Sequence, residues 1–245
     1  KDLETLRTER VMRCDLNSDE SEKEIFYEED ETFSVYSYKT KSDKFIVIGS
    51  SATLSQEYRY IDASNPNGDF KLFDKRVDGL EYSISHFKNK WYILTNKDNA
   101  TNFKLMVCDE KRTNKENWKE FIGHNDETLL EGIEIFNDYL VITERNNGLR
   151  RINIKPWNKS ESHYIKFDEE VYSLYSSINP QMNTKKFRYS YSSMTTPNSV
   201  VEYDMVKRDT IILKETEVLG GKFDKKNYHT MRVWAPTEDG KKVPI

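Results

Sequence analysis

Apolar and polar residues alternate along the stretch Lys186–Asp204, which predicts two paired strands. In Phe187–Ser192 the side chains Arg188, Ser190 and Ser192 alternate with aromatic ones, the period-two pattern of a half-buried strand. The segment Thr196–Ser199 has the composition of a turn, and the β-branched and aromatic run Val200–Tyr203 follows it. The stretch is therefore predicted to form a β-hairpin.

The same pair of strands recurs three times upstream. The first member of each pair begins at Lys44, Lys90, Asp138 and Lys186, so the period is 46, 48 and 48 residues. Repeats of this length that contain about four short strands are typical of propeller blades, whereas helical repeats would show a 3.6-residue apolar period. We predict the second members of the pairs at Glu57–Ala63, Phe103–Asp109, Gly148–Ile154 and Ser199–Met205.

The repeat defines four complete blades and part of a fifth. The complete blades are predicted at Thr32–Asp74, Tyr82–Ile122, Glu131–Phe167 and Val171–Lys214. Their outermost strands are predicted at Phe70–Phe73, Trp118–Ile122, His163–Phe167 and Thr210–Lys214. Half a blade, Arg10–Asn17 and Glu24–Tyr27, precedes them. The fold class is all-β: a partial β-propeller of about four and a half four-stranded blades over residues 1–218.

The pattern changes after Val218, so residues 219–245 form a second predicted region. Gly220–Asp224 is predicted to be a flexible connection, and Met231–Ile245 a hairpin that turns at Asp239-Gly240. The chain has no initiator Met and begins within a blade, which suggests that neighbouring parts are missing. Because incomplete rings leave strand edges unpaired, we expect the isolated chain to associate through these ends or to be poorly soluble.

Composition excludes some functions and leaves others open. The net charge of −4, with both signs interspersed, gives no electrostatic footprint for nucleic acid. No apolar run is long enough to cross a membrane and no signal peptide is present, so we expect a cytoplasmic or periplasmic location. Cys14 and Cys108 lie in separate repeats, and each is predicted to be a buried free thiol rather than half of a disulfide.

No residue pattern in the chain identifies a catalytic or metal site. The nucleophile-elbow motif G-x-S-x-G is absent, and Gly49-Ser50-Ser51 is interpreted as an ordinary strand end. The four histidines lack the spacing of metal ligands, so we expect satisfied or solvated side chains and no cofactor. They are His86, His124, His163 and His229.

Charged and aromatic residues recur at equivalent places in the repeats. Acidic clusters precede the first strand of three blades, at Glu28–Glu31, Asp126-Glu127 and Asp168–Glu170. Two interpretations are open: solvated loops between blades, which we favour, or carboxylates that attract cationic peptides to a channel. Of Arg150 and Arg151, one must point outward, as a surface cation or toward another domain. We expect the recurring tyrosines to pack between blades: Tyr58, Tyr60, Tyr82, Tyr189, Tyr191 and Tyr203.

Three stretches carry a resemblance to a known family. They are Arg188–Asp204, Leu129–Leu149 and the last part of the chain, Leu213–Ile245. Together with the rest of the chain they resemble the prolyl oligopeptidase family of serine peptidases, and the run Tyr191–Pro197 is similar to its oligopeptidase B (protease II) branch. The resemblance implies a ring of about seven blades that caps an α/β-hydrolase domain and admits short peptides only.

The resemblance also implies cleavage after Arg or Lys by a Ser, His and Asp that lie in the hydrolase domain, of which this chain has only the start at Arg232–Ile245. No catalytic residue, cofactor ligand or metal ligand is therefore assigned here, and the chain alone is expected to be inert. The expected partners are the catalytic domain of the same protein and short basic peptides. The alternatives are a non-catalytic propeller that binds a protein or glycan, and a glycosidase with two carboxylates about 5–10 Å apart.

Overall fold

A computed structural model describes residues 2, 4–16, 22–159 and 161–245. The chain divides into two units, Lys1–His124 and Asn125–Ile245. In both units short strands pair in antiparallel fashion with their sequence neighbours. Helical structure in the described residues is limited to two short 3₁₀ turns, Lys115–Asn117 and Lys225–Asn227.

The first unit contains a two-stranded sheet and two four-stranded sheets. Strands β1 and β2 form the small sheet. Strands β3 to β6 form the next sheet and β7 to β10 the third, each in sequence order. The bounds are β1 Arg10–Arg13, β2 Lys23–Tyr27, β3 Ser34–Lys39, β4 Phe45–Ser51, β5 Gln56–Asp62, β6 Lys71–Leu72, β7 Tyr82–Phe87, β8 Lys90–Thr95, β9 Lys104–Asp109 and β10 Lys119–Ile122.

The second unit contains two four-stranded sheets and a terminal hairpin. Strands β11 to β14 and β15 to β18 form the sheets in sequence order, and β19 pairs with β20. The bounds are β11 Thr128–Ile135, β12 Tyr139–Asn146, β13 Leu149–Pro156, β14 His163–Tyr164, β15 Ser173–Ser176, β16 Lys186–Ser192, β17 Ser199–Asp204, β18 Asp209–Glu215, β19 Trp234–Pro236 and β20 Lys242–Pro244.

The predicted blades are confirmed as these sheets. The hairpin that defined the repeat is present as β16 and β17, in which Phe187 pairs with Tyr203 and Tyr189 with Val201. The outermost strands β6 and β14 have only two residues each, shorter than the four and five predicted. The half blade is present as β1 and β2, although Asn17, the last residue of its first predicted strand, lies outside the described residues. The predicted boundary at 218/219 stays a prediction.

In the first unit, the strand alternation places aromatic side chains between neighbouring sheets. Trp91 has no exposed surface, and its ring centre lies 5.0 Å from that of Phe45 and 5.5 Å from that of Tyr60. Tyr58 on β5 contacts Tyr82 on β7 edge to face at 5.1 Å, and its hydroxyl donates to the Tyr82 carbonyl. Large buried rings contribute much of the stability of sheets this thin, because each buries about 150–250 Å².

In the second unit, a similar core lies between the β11–β14 sheet and the β15–β18 sheet. Phe136, Ile152 and Phe187 are completely buried, and the Phe136 and Phe187 rings meet edge to face at 6.3 Å. Tyr189 and Tyr191 on β16 both contact the ring of Phe167, which precedes β15. The prediction that the recurring tyrosines pack between blades is therefore confirmed for this pair of sheets as well as for the first unit.

A two-residue turn joins β12 to β13. Asn147 and Gly148 both have positive φ angles, 52° and 78°, as a type I′ turn requires. This turn matches the twist of paired strands and fixes their register, so that Glu144 lies opposite Arg151. A side chain at Gly148 would also crowd its neighbours, because an added Cβ would lie 3.2 Å from both Arg232 Nη2 and Pro244 Cγ.

Candidate functional site

The second unit holds a carboxylate that is surrounded by hydroxyl groups. Glu169 lies between β14 and β15, and the hydroxyls come from the end of β16 and the loop Ser193–Asn198 that leads to β17. Tyr191 Oη donates to Glu169 Oε2 at 2.6 Å and Thr196 Oγ1 to the same atom at 2.9 Å. Ser193 Oγ and Thr195 Oγ1 each donate to Oε1 at 2.5 Å. We call these five residues the Glu169 cradle.

Hydrogen bonds within the cradle loop add to those that it makes with Glu169. Ser193 Oγ accepts from the backbone N–H groups of Thr195 at 3.0 Å and Thr196 at 2.9 Å, while Ser193 N donates to the Thr196 carbonyl at 3.0 Å. Every residue of the turn is therefore hydrogen-bonded except Met194 at its tip, whose side chain makes no polar contact. Met194 is 87% exposed. A large apolar side chain thus projects from a hydrogen-bonded turn.

The hydroxyls set the protonation state of Glu169. Partial burial alone would raise its pKa, but the hydrogen bonds from Ser193, Thr195, Tyr191 and Thr196 outweigh this effect and lower the pKa to about 2. The Tyr191 hydroxyl shows the opposite effect, because burial and its bond to the carboxylate raise its pKa. The carboxylate is therefore charged at neutral pH, with both oxygens accepting hydrogen bonds.

The neighbouring residue, Glu170, holds the segment that leads to the terminal hairpin. Arg232 N donates to Glu170 Oε2 at 3.0 Å. The Arg232 guanidinium donates to the Asn147 carbonyl of the type I′ turn and lies 4.4 Å from the ring centre of Trp234. Glu169 and Glu170 are neighbours in the connection between β14 and β15. Through them this connection binds two separate segments, the Ser193–Thr196 loop and the segment at Arg232 that leads to the hairpin.

A second acidic cluster is organised in a similar way in the first unit. Glu28 is buried, and it accepts from Ser50 Oγ, from Arg76 Nη2 at 2.5 Å and from the backbone N–H of Asp30 at 3.1 Å. Burial would raise the pKa of Glu28, but the bonds from Arg76 and Ser50 lower it overall. Ser50, in the Gly49-Ser50-Ser51 stretch, is thus a buried structural donor on β4.

The acidic clusters fit neither sequence interpretation completely. Glu29, Glu31 and Asp168 are exposed, as expected of solvated loops. Asp126 and Glu127 are also exposed. Glu28 and Glu169 are instead structural acceptors: Glu28 pairs with the cation Arg76, and Glu169 accepts from four neutral hydroxyls. The favoured interpretation, solvated loops throughout, is therefore wrong for these two residues, because both are at least half-buried and accept from donors that lie 22 to 48 residues away in sequence.

His86 forms a chain of polar contacts that resembles a nucleophile, base and acid. His86 Nδ1 lies 2.8 Å from Ser42 Oγ, and Nε2 lies 3.1 Å from Glu110 Oε2. However, the His86 side chain is 1% exposed, and the rings of Phe45 and Trp91 lie 4.8 and 4.9 Å from it. Burial lowers the pKa of His86 in spite of the bond to Glu110, which itself pairs with Lys44 at 2.7 Å. We assign these contacts of His86 with Ser42 and Glu110 a structural role.

The other histidines are in separate environments, as the sequence predicted. His124 Nε2 accepts from Asn102 N at 3.1 Å, His163 Nε2 lies 2.9 Å from Tyr203 Oη, and His229 is exposed. Within the described ranges, no three His, Cys, Asp or Glu side chains are grouped in a way that would hold a metal ion. No helix in those ranges is long and apolar enough to span a membrane.

Both arginines of the Arg150-Arg151 pair are bound within the second unit, where their side chains remain 24% and 35% exposed. Arg151 Nη2 pairs with Glu144 Oε1 at 2.7 Å across the β12–β13 ladder. Arg150 pairs with Glu131 and stacks at 4.2 Å on the ring of Tyr175. The two side chains point to opposite faces of β13, and both faces supply a carboxylate.

Both cysteines are free, as predicted, but only Cys108 is buried. Cys14 follows β1, which belongs to a sheet of only two strands, so too little structure surrounds it for burial. The prediction of a buried thiol is therefore wrong for Cys14. Burial raises the pKa of the Cys108 thiol to about 12, which makes it unreactive.

Sequence reasoning did not predict that hydroxyls of the Ser193–Thr196 run bind Glu169. Its hydroxyl-rich composition was a signal for local hydrogen bonding, as in turns of Ser and Thr. The acceptor, Glu169, lies 24 to 27 residues earlier, and no spacing rule links them. Arg232 was also missed, because its partners lie 62 and 85 residues away.

Comparison with known proteins agrees with the geometry. The family described as "Prolyl oligopeptidase, N-terminal beta-propeller domain" matches residues 1–216. Dipeptidyl aminopeptidase BI of Pseudoxanthomonas mexicana is 38% identical over 100% of this chain and 34% of its own length. Protease 2 of Moraxella lacunata is 31% identical over 96% of the chain and 34% of its own length.

Solved structures also match nearly the whole of this chain over about a third of their own length. Oligopeptidase B from Leishmania major superimposes with a TM-score of 0.87 and 25% identity, over 98% of this chain and 35% of that one. Oligopeptidase B from Trypanosoma brucei gives a TM-score of 0.86 at 25% identity, over 97% and 35%. The chain thus spans about a third of the length of the relatives it matches. With four four-stranded blades and half of another, it belongs to the prolyl oligopeptidase family of serine peptidases, as part of the family's N-terminal β-propeller domain.

Proposed function

We propose that this chain is the substrate-selecting propeller of an oligopeptidase B-like serine peptidase that cleaves short peptides after Arg or Lys. The observation that carries the proposal is the family match over residues 1–216, together with the similarity to Protease 2 and to two oligopeptidase B structures. In this proposal the propeller limits the size of the peptides that reach a separate catalytic domain. That domain performs acyl transfer with a Ser nucleophile, a His base and an Asp that orients the His.

A second candidate is removal of dipeptides from the free amino end of a peptide. The observation that favours it is the 38% identity to a dipeptidyl aminopeptidase over the whole chain. Both candidates use the same catalytic chemistry and differ in whether the substrate must offer a free α-amino group. A non-catalytic propeller that binds a protein or glycan is the third account.

The test is made on the protein expressed from its full reading frame. It is labelled with a serine-reactive fluorophosphonate and assayed with fluorogenic peptides that end in Arg-Arg or in Pro, each with a free and with a blocked amino end. Labelling with cleavage of blocked Arg-Arg substrates supports the oligopeptidase B-like endopeptidase. Cleavage only of substrates with a free amino end supports the dipeptidyl aminopeptidase, and preference for Pro supports a prolyl oligopeptidase. Absence of labelling and cleavage leaves the binding propeller.

The same proposal includes electrostatic attraction of basic peptides, but by fewer acidic residues than the sequence suggested. Arg76 compensates the charge of Glu28, so a steering field on this surface comes from Glu169, whose hydroxyl donors are neutral, and from exposed carboxylates such as Asp168. In the full-length enzyme, Asp168→Asn together with Glu170→Gln is expected to reduce the dependence of kcat/KM on salt concentration. An unchanged salt dependence would remove steering by this cluster from the proposal.

A further inference from the structure

Two Asn-Gly pairs lie in surface turns of the chain, and their surroundings differ. In such a pair the backbone nitrogen of Gly can attack the side-chain carbonyl carbon of Asn, because Gly has no side chain that hinders the approach. This reaction is one reason why Asn is a thermolabile residue. The pairs are Asn67-Gly68 in the first unit and Asn147-Gly148 in the second, and both Asn residues are exposed. The local sequence alone would therefore make them equivalent sites of deamidation.

The conformation of the turn at Asn147 keeps the reacting atoms apart. Asn147 has a φ of 52°, and a residue in this left-handed region has a ψ of about +47°. This ψ directs the Gly148 nitrogen to the side of the Cα–C bond opposite Cβ, whereas attack on the side chain requires both on the same side. The peptide group between Asn147 and Gly148 must therefore rotate before the reaction can begin.

Two arginines restrain this rotation. The Arg232 guanidinium donates to the Asn147 carbonyl, which belongs to the peptide group that must rotate. An added Cβ at Gly148 would lie 3.2 Å from Arg232 Nη2, so the guanidinium lies directly against the turn. Arg145 Nη1 donates to the Gly148 carbonyl at 3.0 Å. Arg232 is itself held in place, because its backbone N–H donates to Glu170 Oε2 at 3.0 Å.

The turn at Asn67 is restrained differently. Gly68 N donates to the Asn65 carbonyl at 3.2 Å, and Asn67 has a negative φ and follows Pro66, which is typical of a type I turn. Arg13 Nη1 donates to the Pro66 carbonyl at 2.5 Å. That carbonyl belongs to the preceding peptide group. In the part of the chain that the structure describes, no side chain therefore holds the Asn67-Gly68 peptide group.

We propose that Asn147 is a latent deamidation site, which Arg232 and Arg145 keep unreactive until the turn opens. Once the peptide group is released, the Gly148 nitrogen loses its proton to water and attacks Cγ of Asn147. A new N–C bond forms, the bond from Cγ to the side-chain amide nitrogen breaks, and ammonia leaves with a proton from water. Water then hydrolyses the succinimide to aspartate or isoaspartate, with no change in oxidation state.

The reaction leaves a permanent record that the turn has opened. Isoaspartate adds a methylene group to the main chain, so a two-residue turn can no longer keep Glu144 opposite Arg151. Either product also places a carboxylate beside Arg232. The modification site thus lies where the Arg232 segment binds the second unit. The inference is independent of the proposed function, because it does not require a catalytic domain.

The test compares the two pairs within the same full-length protein. The protein is kept at neutral pH and digested at mildly acidic pH, and mass spectrometry then quantifies aspartate and isoaspartate at positions 67 and 147 over time. In the native wild type, we expect position 67 to react about tenfold faster than position 147. In concentrated urea the two rates should be similar, because both turns are lost.

Substitution of the restraining arginine supplies the second measurement. Arg232→Gln is expected to raise the rate at position 147 about tenfold and to leave the rate at position 67 unchanged. Arg188→Gln is the matched control, because Arg188 pairs with Glu202 elsewhere in the second unit, and it should change neither rate. If Arg232→Gln does not fold, Arg145→Gln removes the other bond to the turn and should accelerate the reaction at position 147 likewise.

Three results would overturn the inference. They are equal rates at the two positions in the native wild type, a difference that persists in urea, and a folded arginine variant without acceleration at position 147.

Discussion

Replacement of Glu169 by Gln tests whether the hydroxyl cradle stabilises the second unit through its charge. The lowering of the pKa from 4.5 to about 2 corresponds to roughly 3.4 kcal/mol at neutral pH. Glu169 is half-buried, so solvent screening reduces this value, and we expect Glu169→Gln to destabilise the unit by about 2 kcal/mol. The amide also brings two N–H donors into a group of hydroxyl donors, which adds to the loss.

The sign of the pH dependence follows from the same shift. In the unfolded chain Glu169 takes up a proton near pH 4.5, while in the folded unit it stays ionised down to about pH 2. The stabilisation is therefore present above pH 4.5 and is lost as the pH falls toward 2. Gln does not titrate, so the difference in stability between the wild type and Glu169→Gln should shrink over this range.

Two measurements check this prediction. Urea unfolding at pH 7 and at pH 3 gives the difference in stability, and amide hydrogen exchange reads the loop directly. Exchange at Thr195 N and Thr196 N, which donate to Ser193 Oγ, should accelerate by about 30-fold at pH 7. Asp168→Asn removes the same charge from an exposed neighbour and should change stability by less than about 0.5 kcal/mol. Equal effects of the two substitutions, or a difference that is the same at both pH values, would refute the reasoning.

Three further outcomes are expected of the chain. A thiol reagent at pH 8 should modify Cys14 in the native state and Cys108 only after denaturation; two fast-reacting native thiols would contradict the burial of Cys108. The first unit should lose stability as the pH falls below 6.5, because buried His86 has a lowered pKa and resists protonation while the unfolded chain takes up a proton; His86→Asn should weaken this dependence in unfolding curves. Light scattering should show concentration-dependent association, since Ile211 and Ile212 are exposed on the edge strand β18, and a monodisperse, heat-resistant monomer would count against it.

The strands could be predicted from the sequence because their signal is local. The Phe187–Ser192 alternation, repeated every 46 to 48 residues, is sufficient to place the paired strands and their buried tyrosines. The Glu144–Arg151 pair could also have been derived, since a two-residue Asn147-Gly148 turn places those residues opposite each other. The register of a tight hairpin is a short-range property, and the ion pair follows from it.

The candidate site could not be predicted in the same way. Glu169 and its hydroxyl donors are brought together by loops at the ends of separate strands, and Arg232 reaches Asn147 across 85 residues. The alternation of apolar and polar residues and the repeat length predict which residues face a core. They do not predict which loops contact each other. Cys14 illustrates the same limit: it follows β1 of a two-stranded sheet, and its exposure depends on this surrounding structure, which the local sequence does not specify.

The polar contacts between neighbouring sheets have a consequence for how the chain assembles. Repeats of similar length and strand pattern can dock in the wrong order, a characteristic error of repeat proteins. Here the described contacts within the units are of two kinds: Glu28 pairs with Arg76, whereas Tyr58 and Tyr172 donate to the backbone carbonyls of Tyr82 and Arg150. A blade that docks beside the wrong neighbour would leave such groups buried without partners, at about 1–3 kcal/mol each. The apolar cores are similar in kind, so the Glu28–Arg76 ion pair is the contact among these that distinguishes one blade's neighbour from another's.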